Sequence, residues 1–404
     1  MARLLEHDAL TILADAGVQV PRWAVVATAL EAAEAAVRLG GPIVLKALVP
    51  MGGRGKAGAV RSVADAGQAR TVAAELLGRS VGGYPVRRLL VMERLEIIEE
   101  HFVSITFDAA CRGPVLLYSR TGGVDVERYA AAPDSLVRRP IKITGGLESF
   151  EARDLALEAG MQGASIGHIG QLLPRLYRAF RQCDASLLEI NPLAVVATGA
   201  VMPAAVVIDL DDQALFRHPE LKDRIGDEEG PGFRPFTALE RRVREIDQAD
   251  PHSGAIRFVE FTDGDIAFLV TSGGASLTVL GQLIALGGRP ANAFDITPGR
   301  NEEKIYQVTQ ALLARPALRG LIAGGNVKNF TRVDVHVRAI VRALKDTGVD
   351  VRRFPVVLRF AGPGIEEARK IADGLPGVEL YEDDTSLAMA VRRMVELVKG
   401  ACIT

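Results

Sequence analysis

Apolar and polar positions follow two different periods along the chain. From Leu4 to Ala16 the apolar residues recur at helical spacing, which predicts an amphipathic helix that ends at Gly17. Thr28-Ala-Leu-Glu31 has the form of a capping box, with hydroxyl and carboxylate placed to satisfy free N–H groups at a helix start. The Ala- and Glu-rich helix it opens should stop at Gly40-Gly41. A short β-branched strand follows over Pro42–Val49, then a glycine-rich loop over Gly52–Gly58. Further strands are expected at Arg88–Glu93, Phe102–Ala109 and Gly113–Tyr118, and a long helix from about Gly167 to Cys183.

Residues 217–256 are charged and carry the Gly-, Pro- and Asp-rich cluster Gly226–Gly232, which reads as a linker with one helix near Thr237–Asp247. From about residue 257 the pattern becomes regular. Ile266–Thr271, Arg289–Ile296, Leu321–Ala323, Pro355–Phe360 and Val378–Tyr381 are short apolar runs, each followed by a loop and a helical stretch. Strands alternating with helices imply a parallel sheet covered on both faces, and ligands of such sheets bind outside the carboxyl ends of the strands. The expected class is therefore α/β. Its domains would be 1–220, a linker 221–256 and a doubly wound domain 257–404.

Charge and composition narrow the function. Lysine and arginine number 48 against 50 acidic residues, a net charge of −2, so no global basic excess points to nucleic acid or an anionic membrane. At 48% hydrophobic residues the chain can bury a core, and at 5% aromatics stacking is not its main mode of recognition. Cys111, Cys183 and Cys402 lie far apart, which excludes a disulfide framework and a structural zinc site. The first helix carries charges throughout and does not read as a signal peptide, and no apolar run is of spanning length. A soluble, cytoplasmic protein is expected.

Three features carry candidate chemistry. In Gly52–Gly58 glycines interleave with Arg54 and Lys56, either as a flexible turn or as a cradle in which backbone N–H groups and cations meet phosphate. It is neither a Walker loop nor a dinucleotide fingerprint. Lys46 lies in an apolar strand, so its stem either reaches outward or its ammonium meets an anion. In Leu187-Leu-Glu-Ile-Asn-Pro-Leu193, Glu189 and Asn191 share one face of a strand, and two hard oxygen donors suit Mg²⁺ bound with nucleotide phosphates.

Lys46, the Gly-Gly-Arg-Gly-Lys-Ala-Gly loop, Gly122-Gly-Val-Asp-Val126 and Leu187–Leu193 together resemble the ATP-grasp half of succinyl-CoA synthetase β subunits. The resemblance runs from His7-Asp8 through Ala214–Leu221 to the last helix. The second half, with Gly273-Gly-Ala-Ser276, Asn329-Phe-Thr331 and Arg359 followed by Gly362-Pro363, is similar to ATP-citrate lyase and the citryl-CoA synthetase large subunit. The resemblance implies an ATP-grasp fold followed by a flavodoxin-like domain, in an acid–CoA ligase that forms ADP or GDP. ATP would phosphorylate a histidine of a partner α subunit, the phosphoryl group would pass to a carboxylate, and CoA would displace it. Family positions for nucleotide fall on Lys46, Gly53, Arg54, Gly55 and Glu100, with Glu93 after Met92 at an altered acidic position near the adenine. A magnesium ligand falls on Asn191. The family's second magnesium ligand, an Asp, is replaced by Ala205, and its usual lysine by Val207; Glu189 or Asp209 would have to compensate.

For the acid, the resemblance points to Thr271, Gly273, Gly274, Ala275, Ser276, Asn329, Phe330, Thr331 and Arg359, with citrate favoured over succinate and malate. Helix N-termini favour anions, and arginine offers a carboxylate a two-pronged fork. Ser276 and Thr331 also read as ordinary helix caps. Ile166-Gly-His-Ile-Gly170 looks like the α subunit's phosphohistidine segment, but His168 sits in a helical stretch and reads better as a helix-start or core histidine. The partner α subunit would supply the phosphohistidine and most of the CoA site, and would cover an exposed apolar patch on the second domain. A different class of function stays open: a degenerate ATP-grasp subunit that binds a carboxylate or scaffolds a partner without phosphoryl transfer.

Overall fold

The computed structural model describes residues 2–123, 136–222, 224–225, 229–230 (backbone only), 234–271, 273–296 and 301–400. Val124–Val126, most of the Gly226–Gly232 cluster, Ser272 and Cys402 lie outside them. The chain divides into two compact units, Met1–Pro235 and Phe236–Thr404.

Beside two short two-stranded sheets, the first unit is built on two main antiparallel sheets. In the smaller one the strands run Trp23–Val26, Leu89–Glu93, Ile43–Ala47, Val60–Val63 in spatial order. Helices Ala29–Leu39 and Ala66–Leu76 cover it and bury Ala32, Ala35, Ala69 and Ala73, small side chains that allow close packing. The Thr28 hydroxyl accepts from Glu31 N at 3.2 Å, and the Glu31 carboxylate reaches back to Ala27 N rather than to Thr28 N. Gly40 closes this helix at φ +72°, a left-handed conformation that favours glycine.

The larger sheet is built on two long strands, Ile97–Asp108 and Ala185–Val196. Val206–Leu210 and Gly113–Ser119 flank them, and Val201–Pro203 also pairs with Ala185–Val196. Helices Glu6–Asp15, Ser149–Glu158 and Ser165–Gln182 supply its core through Leu10, Leu13, Leu155, Leu173 and Leu176. His168 belongs to the last of these helices, as its sequence context suggested.

The second unit opens with helix Ala238–Ala249, whose Thr237 and Glu240 form a complete capping box. Its centre is a parallel sheet of Ile266–Thr271, Gly320–Gly325, Val356–Arg359 and Val378–Tyr381, in that order. Helices Gly274–Ala285, Glu302–Leu313, Val333–Asp346, Ile365–Asp373 and Leu387–Gly400 follow successive strands. One expectation needs correction. Asn292–Ile296 does not join the ladder of the parallel sheet but pairs antiparallel with Ile256–Glu260. It still lies along Ile266–Thr271, through one parallel bridge from Ile266 to Pro290 and through the buried Asn292 amide, which accepts from Phe268 N and donates to Phe268 O. A side-chain amide thus takes the place of a backbone ladder.

Candidate functional site

A cavity of about 660 Å³ opens in the first unit. Alternation brings Lys46 to its wall from strand Ile43–Ala47, and Glu189 and Asn191 from strand Ala185–Val196. The Gly52–Lys56 segment, Glu93, Glu100, Ala204, Ala205 and Val207 complete much of the lining. Most of the residues assigned from the sequence to nucleotide and metal therefore meet in one place. The loop folds on itself, with Ala57 N, Gly58 N and Ala59 N donating to Gly53 O, Gly55 O and Arg54 O. Gly53 and Gly58 have positive φ, while a Cβ at Gly52 or Gly55 would meet only open space. Glycine is required by conformation at the first pair; at the second it leaves room for a ligand.

The strongest electrostatic feature was not foreseen. The carboxylate of Glu6, 3% exposed, bridges both cations. Oε1 accepts from Lys46 Nζ at 2.8 Å and Oε2 from Arg54 Nη2 at 2.5 Å. Lys46 also donates to Ala204 O, and Arg54 to Ala47 O. Burial alone would raise the Glu6 pKa, but the charges of Arg54 and Lys46 outweigh it and hold the carboxyl below its ordinary value. Burial pushes the Lys46 ammonium down against the opposing pull of Glu6. A sequence signal did exist. Glu6, Leu10 and Leu13 share the buried face of the first helix, and a carboxylate on such a face needs a partner.

Several of the other expected ligands are engaged by groups of the protein. The Asn191 amide closes on Gly123, accepting from its N–H at 2.6 Å and donating to its carbonyl. Asp209 lies outside the cavity lining and is held by Arg3 through two bonds of 2.6 and 2.8 Å. Glu93 accepts from the backbone and side chain of Arg22. Glu189 stands across the ladder from Val207, and Glu100 lies against Gly123. Among the described residues no three His, Cys, Asp or Glu side chains come together as a metal-binding group. Of the oxygen donors expected for Mg²⁺, Glu189 and Asn191 both line the cavity and Asp209 does not.

In the second unit the expected acid ligands lie at the carboxyl edge of the parallel sheet. Thr271 ends its strand, in register with Gly325, and Arg359 ends another, in register with Gly324. Arg359 is buried; its Nε donates to Thr385 O at 2.8 Å and Nη1 to Gly325 O at 2.9 Å. Gly273, at φ +55°, caps helix Gly274–Ala285 and gives its N–H to Asp295. Ser276 lies in the first turn beyond Gly274 and Ala275 and turns its hydroxyl onto Gly273 O, so it is not the cap residue. Thr331 is buried just before Arg332, which holds the next cap position without a side-chain cap bond. Asn329 is exposed, and Phe330 stands 90% exposed. Sequence reasoning passed over Lys328, whose ammonium donates to Thr271 O and Oγ1 at 3.0 and 2.9 Å. Large exposed apolar side chains of this unit include Leu277, Val327, Phe330 and Met389.

Comparison with known proteins places this geometry. The profile of the ATP-grasp domain matches residues 3–195, and that of the ATP citrate lyase citrate-binding domain matches residues 234–396. The fold is that of ATP citrate lyase from Methanothrix soehngenii, solved in complex with citrate and coenzyme A. That structure aligns with a TM-score of 0.74 at 21% identity, over 98% of this chain and 99% of the other. The class is thus an ATP-grasp fold followed by a parallel-sheet domain of the CoA-ligase type. The ADP-forming succinate–CoA ligase subunit beta of Chloroflexus aurantiacus is 36% identical over 96% of this chain and 99% of its own length. The GDP-forming counterpart from Thermus thermophilus is 34% identical over 97% and 98%. The chain belongs to the family of succinate–CoA ligase β subunits. No helix among the described residues is long and apolar enough to cross a membrane.

Proposed function

We propose that the chain is the nucleotide- and acid-binding subunit of a cytoplasmic, ADP-forming acid–CoA ligase, with citrate as the favoured acid and succinate and malate as the alternatives. The observation that supports this best is the pairing of two anion-ready sites on one chain. One is a cavity of nucleotide size walled by Lys46, Arg54 and a glycine-rich turn. The other is the sheet edge bearing Thr271, Gly273 and Arg359. Lys46 and Arg54 would hold the phosphates, with Gly53 and Gly55 admitting them and Glu93 and Glu100 at the cavity wall. Asn329, Thr331 and Arg359 would orient the acid. A CoA-binding α-type subunit would bring the phosphohistidine and most of the CoA site, and would cover apolar side chains such as Phe330. The test is to purify the chain with that subunit and measure release of ADP from ATP. Repeated turnover of ATP to ADP, beyond the single equivalent released as the histidine is phosphorylated, that requires CoA together with citrate, succinate or malate supports the reading; no turnover with any of the three overturns it.

A second reading rests on Ala205 and Val207, which leave the cavity wall between Ala204 and Ile208 without a charge. The chain would then bind its ligands without phosphoryl transfer. Ala205→Asp places a carboxylate on that wall. A gain of turnover in Ala205→Asp over an inactive parent favours this reading; an active parent excludes it.

A further inference from the structure

Lys328 is held in place by its main chain. Its N–H donates to Ala361 O at 2.8 Å, and a side chain at Gly362 would strike its carbonyl. The ammonium is half-buried against Thr271, whose hydroxyl passes its own proton on to Gly324 O. Every polar partner recorded for Lys328 Nζ is thus a neutral oxygen, and among the described residues no carboxylate lies within ion-pair distance of it. Asp295 is near enough to act on its charge, but its Oδ1 accepts from Gly273 N. A partly desolvated cation with only neutral acceptors is an unfavourable arrangement unless an anion completes it.

Arg359 stands in a similar condition on the other side of the edge. Its guanidinium meets two backbone carbonyls and, among the described residues, no carboxylate. Thr271, under the Lys328 ammonium, and Arg359 belong to strands separated by one other strand. At a strand spacing of roughly 4.8 Å the two positions are ~10 Å apart. Two incompletely neutralised cations therefore stand on either side of the Gly324-Gly325 strand end.

We propose that Lys328 is a specificity residue of the acid site: it takes a second carboxylate while Arg359 takes the first, so the site selects di- and tricarboxylic acids over monocarboxylic ones. This rests on the acid–CoA ligase reading and names the substrate class within it. A monocarboxylate would satisfy one cation and leave the other without an anion, whereas a dicarboxylate satisfies both.

The test is calorimetric titration of the full chain with citrate, succinate, acetate and ADP, comparing wild type, Lys328→Met and Lys328→Arg. Lys328→Met should weaken citrate and succinate roughly 10- to 100-fold, the range for a lost charge-assisted hydrogen bond, and leave ADP unchanged. Lys328→Arg should retain most of the affinity, and the preference for citrate over acetate should collapse only in Lys328→Met. Wild-type citrate binding that Lys328→Met preserves overturns the role of Lys328 and leaves the ligase reading intact. Equal weakening of citrate and ADP marks Lys328 as structural and also overturns it. A wild-type chain that binds ADP but neither citrate nor succinate overturns the acid-binding reading itself.

Discussion

The two units hold their cations in opposite ways. In the first, Lys46 and Arg54 share the buried carboxylate of Glu6, so the cluster carries its own counter-ion. In the second, Lys328 and Arg359 meet carbonyls and a hydroxyl. The difference lies in what each arrangement secures without a ligand. A shared carboxylate fixes two long side chains against the loop and leaves one net positive charge, from two cations and one anion, at the cavity wall. The acceptors of the second pair are neutral, so among the described residues no carboxylate at ion-pair distance offsets its charges. The first cluster is tied together by an ion pair within the fold; the second is held by hydrogen bonds to neutral oxygens.

Removing the anion of the first cluster should have the largest effect. Glu6→Ala leaves two buried cations without their partner and should cost about 3–5 kcal/mol in urea unfolding. Lys328→Met removes a cation that has no carboxylate partner and should change stability by less than about 1 kcal/mol. Similar losses for the two variants would erase the contrast. The contribution of Glu6 also has a sign in pH. Its folded pKa lies below the ordinary 4.5, so the stabilisation is full above that value and is lost as pH falls through the lower folded one.

A second effect separates burial from ligand binding within the second unit. His336 is 3% exposed, and its Nε2 finds no hydrogen-bond partner among the described residues. Burial, with a smaller push from Lys328, drives its pKa down from 6.5 to about 4. The unfolded chain then binds a proton that the folded chain refuses, so stability is full above pH 6.5 and is lost as pH falls towards 4. The loss should approach about 3 kcal/mol, and His336→Leu should abolish that part of the pH dependence in urea unfolding at pH 5 and 7.

Smaller effects sharpen the comparison. Arg54→Met should weaken ADP binding roughly 10- to 100-fold by calorimetry while citrate binding holds. Phe330→Ser, at a 90% exposed position, should leave the melting temperature of the isolated chain nearly unchanged, within about 0.5 kcal/mol. The same change should weaken co-purification with the CoA-binding subunit; unaltered co-purification removes Phe330 from the proposed contact.

What could be read from the sequence follows from how local each signal is. Lys46, the glycine-rich loop and Asn191 announce themselves by residue type against an apolar or turn-forming background, and the fold brings them to one cavity. The signal of Glu6, an acid on the apolar face of its helix, is easily passed over because an acid in the first turn has an ordinary explanation in the helix dipole. Its partner Lys46 lies forty positions away, and only packing shows the pair. Asp209 is hidden in the same way, since Arg3 reaches it across 206 positions of chain. The run Arg289–Ile296 reads as a strand and holds one, Asn292–Ile296, but its apolar pattern does not say that Ile256–Glu260 takes its backbone bonds while the Asn292 side chain bonds Phe268. Lys328 stood in plain view within Gly324–Thr331, yet its importance depends on which oxygens surround it.

The central claim is that the two units bind two different anions through two separate pairs of cations. It is tested most directly by a crossed titration of the full chain with ADP and with citrate, in Lys46→Met and in Lys328→Met. The account predicts that ADP affinity falls only in the first variant and citrate affinity only in the second. Loss of both affinities in either variant, or of neither in both, would contradict it.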